Sequence, residues 1–591
     1  MPACRQASAP PLSTPTRNLP RNNERNTYSP APKSRPRTGG QILVDQLRIH
    51  GIDHVFCVPG ESYLAVLDAL HDADINVTVC RQEGGAMMMA EAHGKLTGRP
   101  AACFVTRGPG ATNATPGIHI ASHDSTPVLV FVGQIERGVR ERGALQELDY
   151  RAAFSHFAKW ATEIDDARRI PEIVSRAVHT AMSGRPGPVL IALPEDMLVD
   201  RVECTDAQPA REVQANPGAD QVASALALLA EAKRPLVVLG GTRWNAEAVS
   251  RFAQWARDSH LPVTVSLRRQ MLFPTGNESF VGDLGFGPNP ALVEQVKQAD
   301  LILLIGSRMS ETPSQGYTLL DIPVPRQTLI HVFPDAAELG RVYAPTLGIC
   351  ATPSAFVQAL CAEPLPASAS RATYATHLRA IYETWRSTES VATPGALQMA
   401  QVMEHLNSVL PQDAIVCNGA GNYATWIHRF YRFDAFGTQL APTSGSMGYG
   451  VPAAVGAKRV FPDKTVIAFA GDGCFLMNGQ EFATAVQYRL PIIVIVVDNG
   501  MFGTIRMHQE REYPGRVSAT ELRNPDFAAY ARAFGGHGER VEKTEEFAPA
   551  FERALASGQP AILHCVIDPE AISPAFTLSQ LRASALAAGR G

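Results

Sequence analysis

The stretch KTVIAFAGDGCFLMNGQEFATAVQYRLPIIVIVVDNG (464–500) decides the fold. KTVIAFA is a strand-length apolar run closed by Gly-Asp-Gly. An amphipathic helix is expected from near Asn478, through Gly479-Gln480-Glu481, and the almost purely aliphatic IIVIVV ends in Asp498-Asn499-Gly500. Near-continuous Val/Ile runs read as strands buried on both faces, so the segment is a strand–helix–strand unit of a parallel sheet. Adjacent parallel strands point the same way, and Asp472 and Asn499, about 27 residues apart, therefore arrive at one edge of that sheet. A helix cap and a turn would explain either residue alone. Together, with glycines that let a backbone approach a diphosphate, they suit a hard, oxygen-seeking cation such as Mg²⁺.

Outward from this unit the same rhythm repeats. The runs HVFCV (54–58), INVTVC (75–80), AACFVT (101–106), PVLVFVG (127–133) and PVLIALP (188–194) alternate with helical patterns. PLVVLG (235–240), LPVTVS (261–266), DLILLIGS (300–307) and TLIHVF (328–333) form a second block. DAIVCNG (413–419) and PAILHCVID (560–568) complete a third. Strands separated by helices predict an α/β protein of three doubly wound parallel-sheet domains. The expected boundaries are a tail over 1–39, domains over 40–205, 206–365 and 390–575, a linker over 366–389 and a C-terminal tail over 576–591. The first and third blocks match in length and rhythm, which hints at duplication, although no sequence repeat proves it.

At 591 residues the chain is too long for one core. With 45% hydrophobic and 19% charged residues and a net charge of −4, it has the composition of a soluble protein, without the charge pattern of one that binds nucleic acid or anionic membrane. Ten cysteines stand singly with no C-x-x-C pair, which reads as reduced thiols in the cytoplasm. The longest apolar runs are strand-length, so no membrane span is expected. The first forty residues carry six Arg, one Lys and a single Glu among many prolines. A disordered tail or an over-called start codon is expected there; a transit peptide is the alternative, and the prolines work against its amphipathic helix. No G-x-G-x-x-G opens a helix after an early strand, which argues against a nicotinamide-dependent dehydrogenase.

RQEGGAMMMAEAHGKLTG (81–98), VTRGPGATNATPG (105–117), GALQELDYRAAFSHFAKWATEI (143–164), SGRPGPVLIALPED (183–196) and TSGSMGYGVPAAVGAKRVFPDKTV (443–466) add to the GDG–Asn spacing. With it they make the chain, from about 40 to 575, resemble the thiamine-diphosphate-dependent enzymes, most closely the acetolactate synthase large-subunit group. The resemblance implies pyrimidine-binding, central and diphosphate-binding domains in that order. It implies Mg²⁺ held by the side chains of Asp472 and Asn499 and the carbonyl of Met501, with Asp498 standing where the family usually has a first asparagine. Gly473 and Cys474 would offer backbone N–H groups to the diphosphate. Asn422 stands where the family often has Gln-His-Gln, which leaves contacts around Gly421-Asn422-Tyr423 open. The carbonyl of Gly445 would accept from the aminopyrimidine, and Met447 would wedge the cofactor into its bent form. Glu83 would be the catalytic carboxylate, hydrogen-bonded to the aminopyrimidine and promoting loss of the thiazolium C2 proton; burial would raise its pKa. From its residues alone, Glu83 is a helix N-terminal carboxylate, and Met447 a core side chain.

Other parts of the resemblance are weaker. Acetolactate synthases hold a non-redox FAD in the central domain; Gly240, Gly241, Thr242 and Arg308 resemble that site, but Phe333 replaces one of its acids and Asp335 keeps the other. FAD therefore stays open. Gly60 and Glu61 of VPGES, Gly110 and Asn113 of the GPGATN loop, and His508, where biosynthetic enzymes carry a Trp, would line the substrate pocket. His93 replaces a common Tyr. The implied reaction is decarboxylation of a 2-keto acid, with pyruvate favoured, and transfer of the remaining carbon unit as a carbanion equivalent to a second keto acid or aldehyde. Benzoin-type lyase, oxalyl-CoA decarboxylase and sulfoacetaldehyde acetyltransferase are alternatives; a silent cofactor-binding scaffold is the alternative of another class. A homodimer or tetramer is implied, with the cofactor between the first domain of one subunit and the third of another; a regulatory subunit is left open. GAMMMA (85–90) suits an interface helix or a core one.

Overall fold

A computed structural model describes residues 36–389 and 391–589; most of the expected N-terminal tail lies outside the described residues. Of that tail, Arg37 and Thr38 pair with Val202 and Arg201, and Thr38 caps the helix Gly39–Ile49 through a capping box with Gln41, so these residues belong to the first domain. Three six-stranded sheets follow, every strand pair parallel. The first contains β1 (His54–Cys57), β2 (Asn76–Val79), β3 (Ala102–Val105), β4 (Val128–Gln134), β5 (Trp160–Glu163) and β6 (Pro188–Pro194), in the order β2-β1-β3-β4-β6-β5. The second contains β7 (Pro235–Leu239), β8 (Val263–Val265), β9 (Phe280–Asp283), β10 (Leu301–Ile305), β11 (Thr328–Phe333) and β12 (Leu347–Cys350), in the order β9-β8-β7-β10-β11-β12. The third contains β13 (Ile415–Asn418), β14 (Gln439–Leu440), β15 (Val466–Gly471), β16 (Ile492–Asp498), β17 (His537–Val541) and β18 (Ala561–Val566), in the order β14-β13-β15-β16-β18-β17.

The outer two sheets thus share one connectivity, which gives the duplication hint a topological form. The middle sheet has the order of dinucleotide-binding folds. In each, ligands are expected at the carboxyl ends of the strands where the order reverses: beside β1/β3, β7/β10 and β13/β15.

Two segments expected to be irregular are helical. Ala369–Arg386 lies in the expected linker, and Arg371, fully buried, donates from Nε to the Ser259 carbonyl at 2.7 Å. Leu578–Ala587 lies in the expected C-terminal tail and is tied through Arg582 to Glu510 at 2.6 Å. Both helices are held by long-range arginine contacts, which a local hydrophobic pattern does not reveal. The helix expected from Asn478 instead begins at Asp472, as Asp472–Asn478, followed by a 3₁₀ turn over Gly479–Glu481. Among the described residues no helix is long and apolar enough to cross a membrane.

One hydrophobic core runs through the first and third domains. Its seam is the packing of the helix Glu83–Thr97 on the helix Gly450–Val460. Met87, Met88 and Met89 are buried in it, so this run is core within one chain. Gly456 makes the close approach possible: a Cβ there would lie 2.9 Å from the Met89 carbonyl oxygen and 3.1 Å from its Cα. Replacing Gly456 by Val forces these helices apart and is expected to cost about 1–3 kcal/mol. A thermal melt should show Tm lowered by several degrees; an unchanged Tm would mean that the seam yields freely.

Candidate active site

In the third domain, β15 delivers Asp472 directly into the first turn of a helix. The side chain is buried, and one carboxylate oxygen accepts from the Met501 amide at 3.1 Å and from Asn524 Nδ2 at 2.8 Å. Burial, reinforced by the nearby Asp498, pushes its pKa up to about 6. Strand β16 ends at Asp498, which accepts from the Gly500 amide and from Asn524, both at 2.9 Å, and pairs with His564 Nε2 at 2.8 Å. Burial acts to raise the Asp498 pKa, but the His564, Gly500 and Asn524 hydrogen bonds outweigh it and hold the group below its ordinary range. Asn524 thus bridges two carboxylates. Asn499 follows on the same strand end, its amide against Gly503.

The neighbouring loops close on this edge. Gly473 packs against the Phe502 ring. The Cys474 thiol faces inward, 3.2 Å from the Gly448 amide and 3.4 Å from the Tyr423 hydroxyl. Asn422 accepts from Thr504 Oγ1 at 2.9 Å and donates to Met507 Sδ at 3.3 Å, so its amide binds the helix Gly503–Glu512. His508 is exposed on that helix. Gly445 has φ +70°, a backbone state that a Cβ disfavours, and it turns the chain so that Met447 packs partly buried against the core. Asn478 holds the turn after Met447 by donating to the Gly448 carbonyl at 3.1 Å.

In the first domain, Glu83 is the first residue of its helix. It is half-buried within this chain, short of the full burial expected for it. Asn113 Nδ2 donates to it at 3.0 Å, and a Cβ on Gly110 would lie 3.4 Å from its other oxygen. Gly60 packs against Thr106, whose hydroxyl is 3.0 Å from that of Ser62. The structure therefore brings Glu83, Gly110 and Asn113 together, with Gly60 joined through Thr106. Glu61 is exposed and pairs at 3.0 Å with the buried Arg107, which also reaches Glu195 at 3.4 Å.

The middle domain supplies the fastening. Arg268, fully buried, donates to the Pro442 carbonyl at 2.5 Å and the Gly419 carbonyl at 3.0 Å. One guanidinium therefore holds the roots of both third-domain loops, Gly419–Asn422 and Pro442–Met447. Thr443 is tied in turn to Asp124 of the first domain, which pairs with Lys95. Asn524, His564, Arg107 and Arg268 are absent from the sequence-based expectation. Only the Arg268-Arg269 doublet, directly after a buried strand, carried a local signal.

At the β7/β10 switch point a cavity of about 50 Å³ is lined by His123, Arg185, Gly241, Thr242, Arg269 and Arg308. Thr242 Oγ1 donates to the Ser125 carbonyl at 3.1 Å and Arg308 to the His123 carbonyl at 2.9 Å. Gly240 lies against Ser307, and Asp335 caps the turn Ala336–Glu338. The basic lining suits a phosphate.

An α/β protein with a buried acid and an amide at one sheet edge, and a glutamate on the first turn of a helix beside a glycine turn at another, is built as a cofactor-dependent enzyme. Three family models match in order: thiamine pyrophosphate enzyme, N-terminal TPP binding domain, over 37–153; the central domain, over 222–360; and the C-terminal TPP binding domain, over 419–565. The acetolactate synthase large subunit of Corynebacterium glutamicum is 32% identical over 90% of this chain and 87% of its own length. The acetolactate synthase isozyme 2 large subunit of Escherichia coli K12 is 30% identical over 90% and 95%. A putative thiamine pyrophosphate-containing protein of Bacillus subtilis 168 is 28% identical over 90% and 92%. The chain belongs to the thiamine pyrophosphate enzyme family, on the side of the acetolactate synthase large subunits.

Removing Arg268 leaves the Gly419 and Pro442 carbonyls buried without their donor. R268A is expected to weaken thiamine diphosphate binding by roughly tenfold or more, with R268K recovering part of it. Fluorescence titration of the cofactor-free protein measures this; equal affinities in all three proteins would refute a hold on the loops.

Proposed function

We propose that this chain is an acetolactate synthase-like carboligase that decarboxylates a 2-keto acid, pyruvate first among them, and joins the remaining carbon unit to a second keto acid or aldehyde. The observation that carries the reading is the family match along the whole fold combined with the Glu83–Gly110–Asn113 grouping at the first-domain switch point. Overall, the bond to the carboxyl carbon breaks and CO₂ leaves, a C–C bond forms to the acceptor carbonyl carbon, and that carbonyl oxygen takes up a proton. The balance needs no oxidant, so no step is assigned to FAD.

The residues present fit thiamine diphosphate with Mg²⁺. Asp472 is a buried carboxylate whose charge is costly without a cation, and Asn499 adds a neutral amide oxygen at the neighbouring strand end. Asp472, Asn499 and Met501 would hold the metal; the amides of Gly473 and Cys474 and the Gly421-Asn422 turn would face the diphosphate. Gly445 and Met447 would set the cofactor's shape. When bound, the cofactor supplies a nucleophilic carbon and an electron sink. Glu83, oriented by Asn113, would hold the proton shared with the aminopyrimidine ring. Gly60 and Gly110 leave room for substrate, and Glu61 with Arg107 would stand at its edge; His508 would need a neighbouring subunit or a moved helix to reach it.

A homo-oligomer with its site between subunits belongs to the same reading. Glu83 is only half covered by its own chain, and apolar side chains stand exposed on both halves: Leu64 and Leu145 on the first domain, Leu476, Met477 and Ile505 on the third. A second copy that pairs these surfaces would bury the carboxylate and dry the site. Dimer or tetramer, cytoplasmic location and the domain limits drawn from the sequence are parts of this proposal.

The reading is tested with a panel of 2-keto acids and aldehydes, following CO₂ release and carboligation product. E83Q is expected to lower turnover by about 10²–10⁴-fold while thiamine diphosphate still binds. Undiminished turnover in E83Q would remove the assigned role, and no product from any donor would remove the carboligase.

The raised Asp472 pKa gives a second test. A proton and the cation compete for one carboxylate, so Mg²⁺ affinity should be level above about pH 6 and fall by about tenfold per unit below it. Calorimetric titration of Mg²⁺ across that range, in the presence of thiamine diphosphate, measures it. A flat profile from pH 7 to 5 would contradict the assignment.

A further inference from the structure

Asp53 and His54 open β1, and His93 sits on the helix Glu83–Thr97, ten residues and therefore about 15 Å along the axis from Glu83. The three side chains converge at the far end of that helix. His54 Nδ1 lies 2.8 Å from Asp53 Oδ1 and His93 Nε2 lies 3.7 Å from the same oxygen. The ring centroids are 5.0 Å apart, and a ligand atom from each residue lies within 4.8 Å of the others. Both imidazoles are buried, and Asp53 opens the cluster to solvent.

Asp53 Oδ1 faces a ring nitrogen of each histidine, at hydrogen-bond distance from His54 and at ion-pair distance from His93. The outer nitrogens have contacts of their own: His54 Nε2 lies 3.4 Å from the Arg459 carbonyl, and His93 Nδ1 lies 3.4 Å from Thr97 Oγ1, which donates to the His93 carbonyl at 2.8 Å. When a cation replaces the proton shared with Asp53, the outer nitrogens can carry their hydrogens against these oxygens, which is the arrangement of metal-binding histidines.

We propose that Asp53, His54 and His93 form a binding site for a borderline divalent cation of the zinc class, completed by water from the exposed side. Tetrahedral zinc bonds of about 2.0–2.2 Å set donor atoms roughly 3.3–3.6 Å apart. The 2.8 and 3.7 Å separations lie on either side of this, and small side-chain movements would bring the ligand atoms to it. The ion would staple β1 to the helix that begins at Glu83 and, through the Arg459 carbonyl, to the helix Gly450–Val460 of the third domain. Arg459 itself turns its guanidinium away, to Thr78 Oγ1 at 2.9 Å, and does not oppose a cation.

The test titrates Zn²⁺ into full-length protein holding saturating thiamine diphosphate and Mg²⁺, so that the oxygen-rich centre around Asp472 is filled. One Zn²⁺ per chain is expected by calorimetry, and Co²⁺ in its place should give the intense visible bands of a four-coordinate site with nitrogen ligands. Outer-shell changes alone cost about 10–100-fold in affinity, so loss of a ligand in H93Q should cost about a hundredfold or more. D53N alters a solvent-facing residue, keeps the test open if H93Q does not fold, and should weaken binding in the same direction. Absence of a stoichiometric Zn²⁺ site, or equal affinity in wild type, H93Q and D53N, would overturn the proposal. Zinc binding by a protein without carboligase activity would leave it standing.

Discussion

A carboxylate buried at the end of a parallel strand is a burden unless positive charge or hydrogen bonds meet it, and Asp472 is such a carboxylate. Moving its pKa from 3.8 to about 6 corresponds to free energy on the order of 3 kcal/mol while the group is charged and alone. The Met501 amide and Asn524 lessen that cost without removing it, and Asp498, held ionised by its hydrogen bonds with His564, Gly500 and Asn524, adds to it. The site is thus poised for positive charge, at the point where two strands and a helix N-terminus direct backbone donors outward. The same requirement explains why the helix starts at the aspartate itself. Its first-turn amides face the place where anionic phosphate would balance the metal.

Such a site is useful only if the loops around it stay in register, and here the fastening comes from charges buried between domains. Arg268 holds two loop roots from the middle domain, while Asp124 holds Thr443 from the first. Asp124 is buried against Lys95, and Lys95 against Glu91, which accepts from Tyr449 at 2.5 Å. Breaking a buried pair costs far more than forming it gains, so this network contributes geometry more than net stability. The Gly456 seam does the same by close packing of backbone on side chain. The first and third domains of one chain are thereby joined by contacts that tolerate little displacement.

The strand runs, their parallel sense and the meeting of Asp472 with Asn499 were legible because buried strands are written in Val and Ile and their ends in Gly and Asp. β5, β9, β12, β14 and β17 were not; all five are edge strands, and such strands as Trp160–Glu163 and His537–Val541 carry charge and only partial burial. Asn524 and His564 escaped notice because nothing near them in sequence marks them; they matter through what they touch 26 to 66 positions away. The helices Ala369–Arg386 and Leu578–Ala587 were hidden for the same reason. The resemblance supplied the expected roles of Glu83 and Asp472, while the half-exposure of Glu83 is visible only in the folded chain.

The two outer sheets share their connectivity yet end their strands differently, and that difference divides the labour. At the third-domain switch point the strand ends carry Asp472 and a row of glycines, which suit charge and phosphate. At the first-domain switch point Gly60 and Gly110 pack against Thr106, and Gly110 lies beside Glu83, so that carboxylate has small neighbours. The middle sheet has the order of a nucleotide-binding fold, and at its switch point Thr242 and Arg308 bond first-domain carbonyls while Arg269 reaches Gly241. In this chain the middle domain works as a clamp, on the first domain through Thr242 and Arg308 and on the third-domain loops rooted at Gly419 and Pro442 through Arg268.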